Sequence, residues 1–549
     1  MVFLLLAIAA VLLAVSWRAP LIGDQWLRPL EQYAARFSRR KSLTILSLGL
    51  AAVLARLALL PVLPVPLPAV HDEFSYLLAA DTFTHGRLAN PQHPMWVFFD
   101  TFHVLQHPTY ASKYPPAPGA AMAVGQLLGH PWIGVLLSTA TMVMAMTWML
   151  QGWFSPPWAL LGGVLVWLRL GVFAHWIDSY YNGSVPVIGA ALVLGAFPRT
   201  LRFGRARDAL LMGAGAMILA CSRPVEGLIF CLPVSLVLPM ALWSRHKDNL
   251  RAVFARAILP LGAVLICGLL FLAYYNARVT GSPLQFPYVL YHRQYFNYPA
   301  FAWQKASPSL HYDNPQFETF FNVWQRHAYP LTREGWENRS WGTVWGLWLV
   351  LLGPVLTVPF LTLGRVLKDH RMRLPLTQFL LSTIGLLCVV WFQPHYAGPL
   401  AAALFVLLAQ AMRHLRHVVI RGRPIGIFLT RLVVILALDW VVIQAGHAAR
   451  YPVVGWSTQR AQVIKTLDAV PGKHLVLVRY APGHNVHQEW VYNAADIDHS
   501  RIVWAREIPG RDLKPLLDYF RDRKIWVVQP DTVPSKLQLY TVTALANGP

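Results

Sequence analysis

The chain has 549 residues, of which 56% are hydrophobic and only 13% charged, with 22 tryptophans and a formal net charge of +22. So apolar a composition excludes an ordinary soluble domain of this length, and repeated uncharged stretches of about 17–22 residues match the hydrocarbon thickness of a bilayer. The excess positive charge then reads as basic loops that orient membrane spans, not as a nucleic-acid footprint, and no nucleic-acid partner is expected.

In chain order, candidate spans fall at 2–17, 43–63, 119–150 (broken near His130-Pro131), 157–174, 183–198, 208–222, 225–243, 256–276, 343–364, 376–392, 396–412 and 425–447. The pattern predicts an all-α polytopic membrane protein of about twelve transmembrane helices. The first segment lacks a basic leading region and a small-residue cleavage site, so it reads as a retained span and not as a signal peptide. Basic residues cluster at 18–41, 199–207, 245–256, 365–373 and 413–431. These clusters alternate with loops at 64–118, 175–182, around Arg223, 277–342 and 393–398 that hold few basic residues. The basic set is expected on the cytoplasmic side, which makes the other set extracytoplasmic. The expected location is thus the cell (inner) membrane, with loops 64–118 and 277–342 on its outer face. Cys221, Cys231, Cys267 and Cys388 all lie in apolar segments and read as small core residues, not as a disulfide or zinc framework.

The two long outer loops are rich in Pro, Tyr, Trp, Phe and His. Segments such as Phe98–Leu105 and Pro287–Tyr291 are aromatic enough to predict short interfacial helices that roof a cavity. From residue 450 onward the pattern changes. His474–Tyr480, Arg501–Trp504 and Lys524–Val528 read as short buried strands, and Asp512–Phe520 has helical spacing. A small extracytoplasmic α/β domain is expected there, without a glycine-rich phosphate loop. The domain plan is therefore 1–42 (an extra span and a basic cytoplasmic loop), 43–447 (the membrane domain) and 450–549 (the α/β domain). No internal repeat is visible.

Polar groups at span ends carry the functional expectations, because they are costly in a membrane. Five clusters share the outer face: His71-Asp72-Glu73; Ser112-Lys113-Tyr114-Pro115-Pro116; His175 to Gly183, with Asp178, Tyr180 and Tyr181; Ser222-Arg223-Pro224-Val225-Glu226-Gly227; and Gln393-Pro394-His395-Tyr396. Each also has a structural reading. Asp72 and Glu73 suit a helix N-terminus. Arg223 and Glu226 can neutralise each other. Asp178 with its tyrosines suits an interfacial belt, His395-Tyr396 a helix start, and Lys113 a snorkelling side chain. Their agreement on one face is what favours a site. His103 and His107 have the i, i+4 spacing of a metal pair but lack further ligands. Arg56, Arg169 and Asp439, in or near spans, read as pairing or snorkelling groups.

The pattern resembles the GT-C glycosyltransferases, within them the polyprenyl-phosphate-sugar-dependent group that includes protein mannosyltransferases and the lipid A aminoarabinose transferase. That group carries an Asp-Glu pair at the start of its first large outer loop, here Asp72-Glu73 with Tyr76 three residues on. Its Lys-Pro-Pro motif is similar to Lys113-Tyr114-Pro115-Pro116, with one extra residue, and its Arg-Tyr-x-x-Pro motif to His395-Tyr396-Ala397-Gly398-Pro399, with His in place of Arg. Ser222-Arg223-Pro224-x-Glu226-Gly227 resembles a hairpin of related bacterial members. The resemblance covers roughly 43–447; the extra first span and the C-terminal domain depart from the simplest family plan.

The resemblance implies a membrane glycosyltransferase that moves a sugar from a polyprenyl-phosphate donor lipid to a glycan, lipid or protein hydroxyl at the extracytoplasmic face, with inversion. Such a reaction needs a base, cations for the departing phosphate and a groove for the lipid. Asp72 is the expected base, with Glu73 orienting it or binding the sugar. Lys113, His395, Arg223 and Arg293 are expected at the donor phosphate, with Arg278 a candidate by location alone. Tyr76, Tyr114, Asp178, Tyr396 and Glu226 are expected at the substrates. No cofactor is required, although the acidic pair is compatible with a divalent metal such as Mg or Mn. Two rivals are a lipid-linked oligosaccharide ligase or polymerase and a secondary transporter. The transporter is disfavoured by polar clusters at one face instead of the midplane, and by halves that do not repeat.

Overall fold

The computed structural model describes residues 14–245, 247–451 and 455–540. Most of the candidate span at 2–17 lies outside the described residues; residues 14–18, at its end, are helical. Among the described residues, seven helices are long and apolar enough to cross a membrane: Lys41–Ala58, Pro131–Trp153, Ser184–Phe203, Pro224–Arg245, Arg251–Thr280, Pro394–Arg416 and Ile425–Arg450. An eighth crossing is formed if Arg333–Leu351 and Gly353–Lys368 are counted together, although they meet at 93°.

Among the described residues, several of the expected spans are shorter than a full crossing. The segments expected at 157–174, 208–222 and 376–392 are helical but short, as Pro156–Leu170, Ala206–Ala220 and Arg373–Leu387. The segment expected at 119–150 is two helices, Pro116–Leu127 and Pro131–Trp153. Prolines and glycines set these limits. Pro131 can open a helix but cannot continue one, and Gly129 just before it sits at φ 115°. The two helices then fold back on each other with their backbones touching: a Cβ on Gly125 would lie 2.0 Å from the Gly134 nitrogen. The 93° bend follows Leu352, where Gly353 adopts φ 61°. Arg169, at the end of Pro156–Leu170, takes up carbonyls freed there: its Nε donates to Val350 O at 3.1 Å and its Nη2 donates to Leu349 O.

Burial separates the centre of the bundle from its rim. In Pro394–Arg416, 94% of the most apolar window is buried in protein, against 11% in Arg251–Thr280. Pro131–Trp153 and Ser184–Phe203 join the former, at 72% and 78%. The central helix is built from Ala401, Ala402, Ala403, Ala409 and Ala411 among Leu, Val and Phe, small residues that let neighbouring helices approach closely.

The two ends of the bundle differ. At one end the basic clusters meet. The stretch expected as a loop contains a helix, Asp24–Ser38, and its acidic residues bind arginines from the far end of the sequence. Arg431 pairs with Asp24 at 2.7 Å and Glu31 at 2.9 Å, and Arg416 pairs with Glu31 at 2.8 Å. Trp26, Leu30 and Tyr33 recur at helical spacing on its exposed side, with exposed Ile22 just ahead of it, the pattern of a helix lying in a membrane interface.

At the other end sit both long loops and the C-terminal domain. The first loop holds the helix His71–Thr84 and a small antiparallel sheet of β1 (Asn90–Pro91), β2 (Val104–Leu105) and β3 (Thr109–Ser112), in the order β1-β3-β2. The second loop holds Pro287–Tyr295 and a helical stretch at 315–328. The expectation of an interfacial helix at Phe98–Leu105 is corrected. Trp96–Phe99 is a single 3-10 turn, Val104–Leu105 is a strand, and Phe98, Phe99, Phe102 and Val104 are buried in protein. Their aromatic surface meets the C-terminal domain and the second loop, not the bilayer.

That domain is a four-stranded sheet of β4 (His474–Val478), β5 (Ile502–Arg506), β6 (Lys524–Gln529) and β7 (Lys536–Leu539), in the order β5-β4-β6-β7, parallel except for β7. Alternation divides its side chains between two faces. Val476, Val478, Trp504 and Val528 pack on Val463 and Leu467 of the helix Trp456–Asp468. Leu475, Leu477, Val503 and Ala505 share a core with Phe74, Leu78, Phe98, Phe99 and Tyr110 of the first loop. The sheet thus closes over the His71–Thr84 helix, and Phe74 stacks on Tyr492 at 4.1 Å.

Candidate functional site

Pro64, Pro66 and Pro68 keep the chain extended after the Lys41–Ala58 span, and helix resumes only at His71. Glu73 caps that start. Its Oε2 accepts from the backbone N–H groups of Ala69 (2.8 Å) and Val70 (3.1 Å), and its Oε1 accepts from the N–H of Tyr180 (2.9 Å). The carboxylate is buried, and burial raises its pKa despite these hydrogen bonds. Glu73 therefore ties the helix to the loop before Ser184–Phe203, with both oxygens occupied. This is a positioning geometry, and it leaves Asp72 as the partly open member of the pair.

Asp72 Oδ1 accepts a hydrogen bond from the Tyr114 hydroxyl, and its Oδ2 lies 3.7 Å from His103 Nε2. His103 Nδ1 shares a 2.8 Å hydrogen bond with Lys113 Nζ. Lys113 is buried in an aromatic box, its ammonium position 4.8 to 5.2 Å from the rings of Tyr114, Tyr288, Tyr291 and Phe296. Burial pushes the Lys113 ammonium down to about 7, although Asp72 opposes the shift. Burial and Lys113 hold His292 at about 3, and burial drives His103 well below its usual range.

Lys113 and Tyr114 form one wall of a cavity of about 680 Å³, with Ser222, Arg223 and Glu226 from a second segment, Tyr288 and His292 from a third, and Trp391 and Tyr396 from a fourth. Arg223 lies over the Tyr396 ring at 4.1 Å and donates through Nη2 to the Tyr76 hydroxyl at 3.4 Å. Tyr76 in turn stacks on Tyr114 at 4.3 Å. Burial raises Tyr76 to about 12, so it stays a neutral hydroxyl. Four of the five sequence clusters therefore converge. Two carboxylates (Glu226 in the lining and Asp72 behind Tyr114), two basic side chains and several phenols meet beside a chamber that is mostly apolar.

The remaining expected residues fall elsewhere. Asp178 pairs with Arg56 at 3.1 Å, while Arg56 also donates to Leu63 O and Pro64 O; burial raises the Asp178 carboxyl to about 6. This pair fastens the span end to the 175–182 loop and does not reach the cavity. His395 is buried behind Tyr396, stacked on Tyr181 at 4.2 Å, and does not line the cavity. Arg293 and Arg278 are exposed and also lie outside the lining. His103 and His107 do not form a metal pair, because β2 and Gln106, not a helical turn, separate them: the His107 ring packs on Trp96 at 4.1 Å. Among the described residues no group of three or more His, Cys, Asp or Glu side chains is placed to hold a metal ion. Sequence reasoning passed over Tyr288, His292 and Trp391, which carry no motif. It noted His103 only for a metal spacing.

The C-terminal domain touches the same region. His71, beside Asp72, shares a 2.9 Å hydrogen bond through Nδ1 with the Tyr492 hydroxyl. Asp81 accepts from the Ala495 N–H at 2.7 Å, and Tyr110 donates to Asn493 O at 3.0 Å. Arg506 and Glu489 form an ion pair in which both side chains are 1% exposed. Arg506 also donates to Gln316 of the second loop (2.7 Å) and to Asp100 O of the first (3.3 Å).

No family model matches the sequence, and no curated protein matches it. Among solved structures the chain is similar to ArnT from Cupriavidus metallidurans bound to undecaprenyl phosphate, with 11% identity, a TM-score of 0.49, and coverage of 88% of this chain and 92% of that one. It is also similar to the archaeal oligosaccharyltransferase AglB from Archaeoglobus fulgidus in complex with an inhibitory peptide and a dolichol-phosphate, with 12% identity, a TM-score of 0.45, and coverage of 88% and 69%. A third likeness is to the arabinofuranosyltransferase AftD from Mycobacteria, with 14% identity, a TM-score of 0.38, and coverage of 88% and 35%.

Proposed function

We propose that the chain is a membrane glycosyltransferase that moves a sugar from a polyprenyl-phosphate donor to an acceptor hydroxyl at the extracytoplasmic face, inverting the anomeric centre. The observation that carries this reading is the convergence of Lys113 and Arg223, from segments far apart in sequence, at the wall of one cavity, with Asp72 outside the lining and held to it by the hydrogen bond from Tyr114. An apolar chamber of about 680 Å³ at the loop end of a membrane bundle suits an isoprenoid phosphate. The cations sit where a departing phosphate gains charge, in a site whose low dielectric strengthens their effect.

In this reading the acceptor hydroxyl loses its proton to Asp72 as its oxygen attacks the anomeric carbon from the side opposite the phosphate. Tyr114 holds Asp72 through one oxygen. Arg223 and Lys113 hold the phosphate, and Tyr396 and Glu226 line the approach. The roof made by the second loop and the C-terminal domain keeps out water, which would otherwise compete as acceptor. No step calls for a metal.

The test is transfer of a labelled sugar from a prenyl-phosphate donor by the purified protein, beside Asp72→Asn. The Asn variant is expected to fold and to lose transfer by about a hundredfold or more. Near-normal transfer in that variant removes Asp72 from the chemistry. Solute counterflow across vesicles without transfer replaces the enzyme reading with a transporter.

A further inference from the structure

His103 is held more tightly than a loop histidine needs to be. It adopts φ 65°, a left-handed conformation that costs a side chain with a Cβ. Three hydrogen bonds impose it. Its N–H donates to the Tyr291 hydroxyl at 2.8 Å, and its carbonyl accepts from the Ser75 hydroxyl at 2.6 Å and the Lys113 N–H at 3.2 Å. The result is an imidazole with Nε2 facing Asp72 Oδ2 at 3.7 Å and Nδ1 bonded to Lys113 Nζ at 2.8 Å. Asp72 and Lys113 have no direct contact; His103 is the group between them.

We propose that His103 is a positioning residue that passes the acceptor's proton from Asp72 to Lys113, so that the cation facing the phosphate appears as the phosphate leaves. This rests on the glycosyl-transfer reading of the site.

In the step, the acceptor oxygen bonds the anomeric carbon and its proton goes to Asp72. The bond from that carbon to the phosphate oxygen breaks, and its electron pair leaves with the phosphate, whose charge rises by one. The proton moves from Asp72 to His103 Nε2 while the proton on Nδ1 moves to the Lys113 amine. Asp72 ends as a carboxylate, His103 as the other neutral tautomer, and Lys113 as an ammonium. The imidazole is suited to this because it can accept on one nitrogen while it donates from the other.

The surroundings favour the starting state. Burial brings Lys113 to about 7, so its amine is accessible near neutral pH. The charged and titratable groups that face it are Asp72, Arg223, His103, His292 and the phenols of Tyr114, Tyr288 and Tyr291; His292 and His103 are held neutral by burial, and burial raises the three phenols. At 3.7 Å the Asp72–His103 contact is longer than a hydrogen bond, as expected of a carboxylate facing a nitrogen lone pair until a proton arrives to join them.

The experiment compares His103→Gln with the unmodified protein. The glutamine amide can bridge the same two groups but cannot relay a proton. Turnover is expected to fall by about a hundredfold with donor KM unchanged, because Arg223 and the Lys113 amine that meet the donor before reaction stay in place. Unchanged turnover, or turnover and KM falling together, overturns the relay. A second measurement avoids any folding defect: transfer by the unmodified protein in mixtures of light and heavy water. A curved dependence on deuterium content means that more than one proton is in flight, as proposed; a straight line overturns the proposal. Failure of the underlying reading looks different. The unmodified protein then transfers no sugar at all, and the relay falls with it, whereas failure of the relay alone leaves the unmodified protein transferring sugar.

Discussion

Replacing Glu73 by Gln separates capping from chemistry at the acidic pair. The carboxylate serves three backbone N–H groups, two on Oε2 and one on Oε1. A glutamine offers one acceptor oxygen, and its amide nitrogen must face the remaining N–H, donor against donor. At least one buried N–H loses its partner, at a cost of about 1–3 kcal/mol, and the bonds that remain lose their charge assistance. The expected loss of stability is about 2–4 kcal/mol in all. Thermal and denaturant unfolding of the detergent-purified protein, followed by tryptophan fluorescence, reads the first quantity. Sugar transfer per folded molecule reads the second, and it should fall by less than about tenfold, because Glu73 touches backbone and not the cavity. A Gln variant with unchanged stability and abolished transfer refutes the capping role and puts Glu73 in the reaction.

Further outcomes follow from the same geometry. Lys113→Arg keeps a cation but removes any amine form near neutral pH. Turnover of the unmodified protein should rise as pH climbs through about 7, where the Lys113 ammonium gives up its proton, and this limb should vanish in the Arg variant; an identical limb in both refutes the assignment. Asp100 is buried and raised to about 7, first by that burial. Its folded pKa exceeds the unfolded one, so the stability it contributes is complete below about 4 and is lost as pH rises to about 7. Asp100→Asn should match the parent in thermal denaturation at pH 4 and exceed it at pH 8. Arg506→Met leaves Glu489 charged and unpaired in the core, at a cost of about 3–5 kcal/mol. Adding Glu489→Gln should recover part of that loss, and a double variant no more stable than the single one would sever the ion pair from the docking of the C-terminal domain.

The acidic pair, the Lys113 segment, the Arg223 hairpin and Tyr396 were legible because polar side chains at span ends are expensive and stand out against apolar runs. Their shared face followed from the alternation of basic loops, and the structure gathers the basic clusters at 18–41 and 413–431 at one end through Arg431, Arg416, Asp24 and Glu31. His103, His292 and Tyr288 were not legible as a group. They stand in a stretch already full of aromatics, and nothing local says which rings turn toward Lys113. Glu73 could not be told apart from Asp72 for a related reason: adjacent carboxylates look alike in sequence, while helix geometry sends one back to cap the backbone and the other outward to Tyr114.

The sequence by itself determined the membrane class, the two-sided distribution of charge, the aromatic loops and the alternating strands of the C-terminal domain, because each follows from local hydrophobic period and composition. The tertiary structure alone decided how many helices are long enough to cross, since proline and glycine breaks combine with packing at Gly125 and Gly134. It also decided that Phe98, Phe99 and Phe102 face protein instead of lipid, and that Asp72, His103 and Lys113 stand in line. The physical reason is that apolar and aromatic surface is equally content against bilayer or protein. Only the long-range contacts, such as Phe74 on Tyr492 and Arg506 on both loops, choose between them.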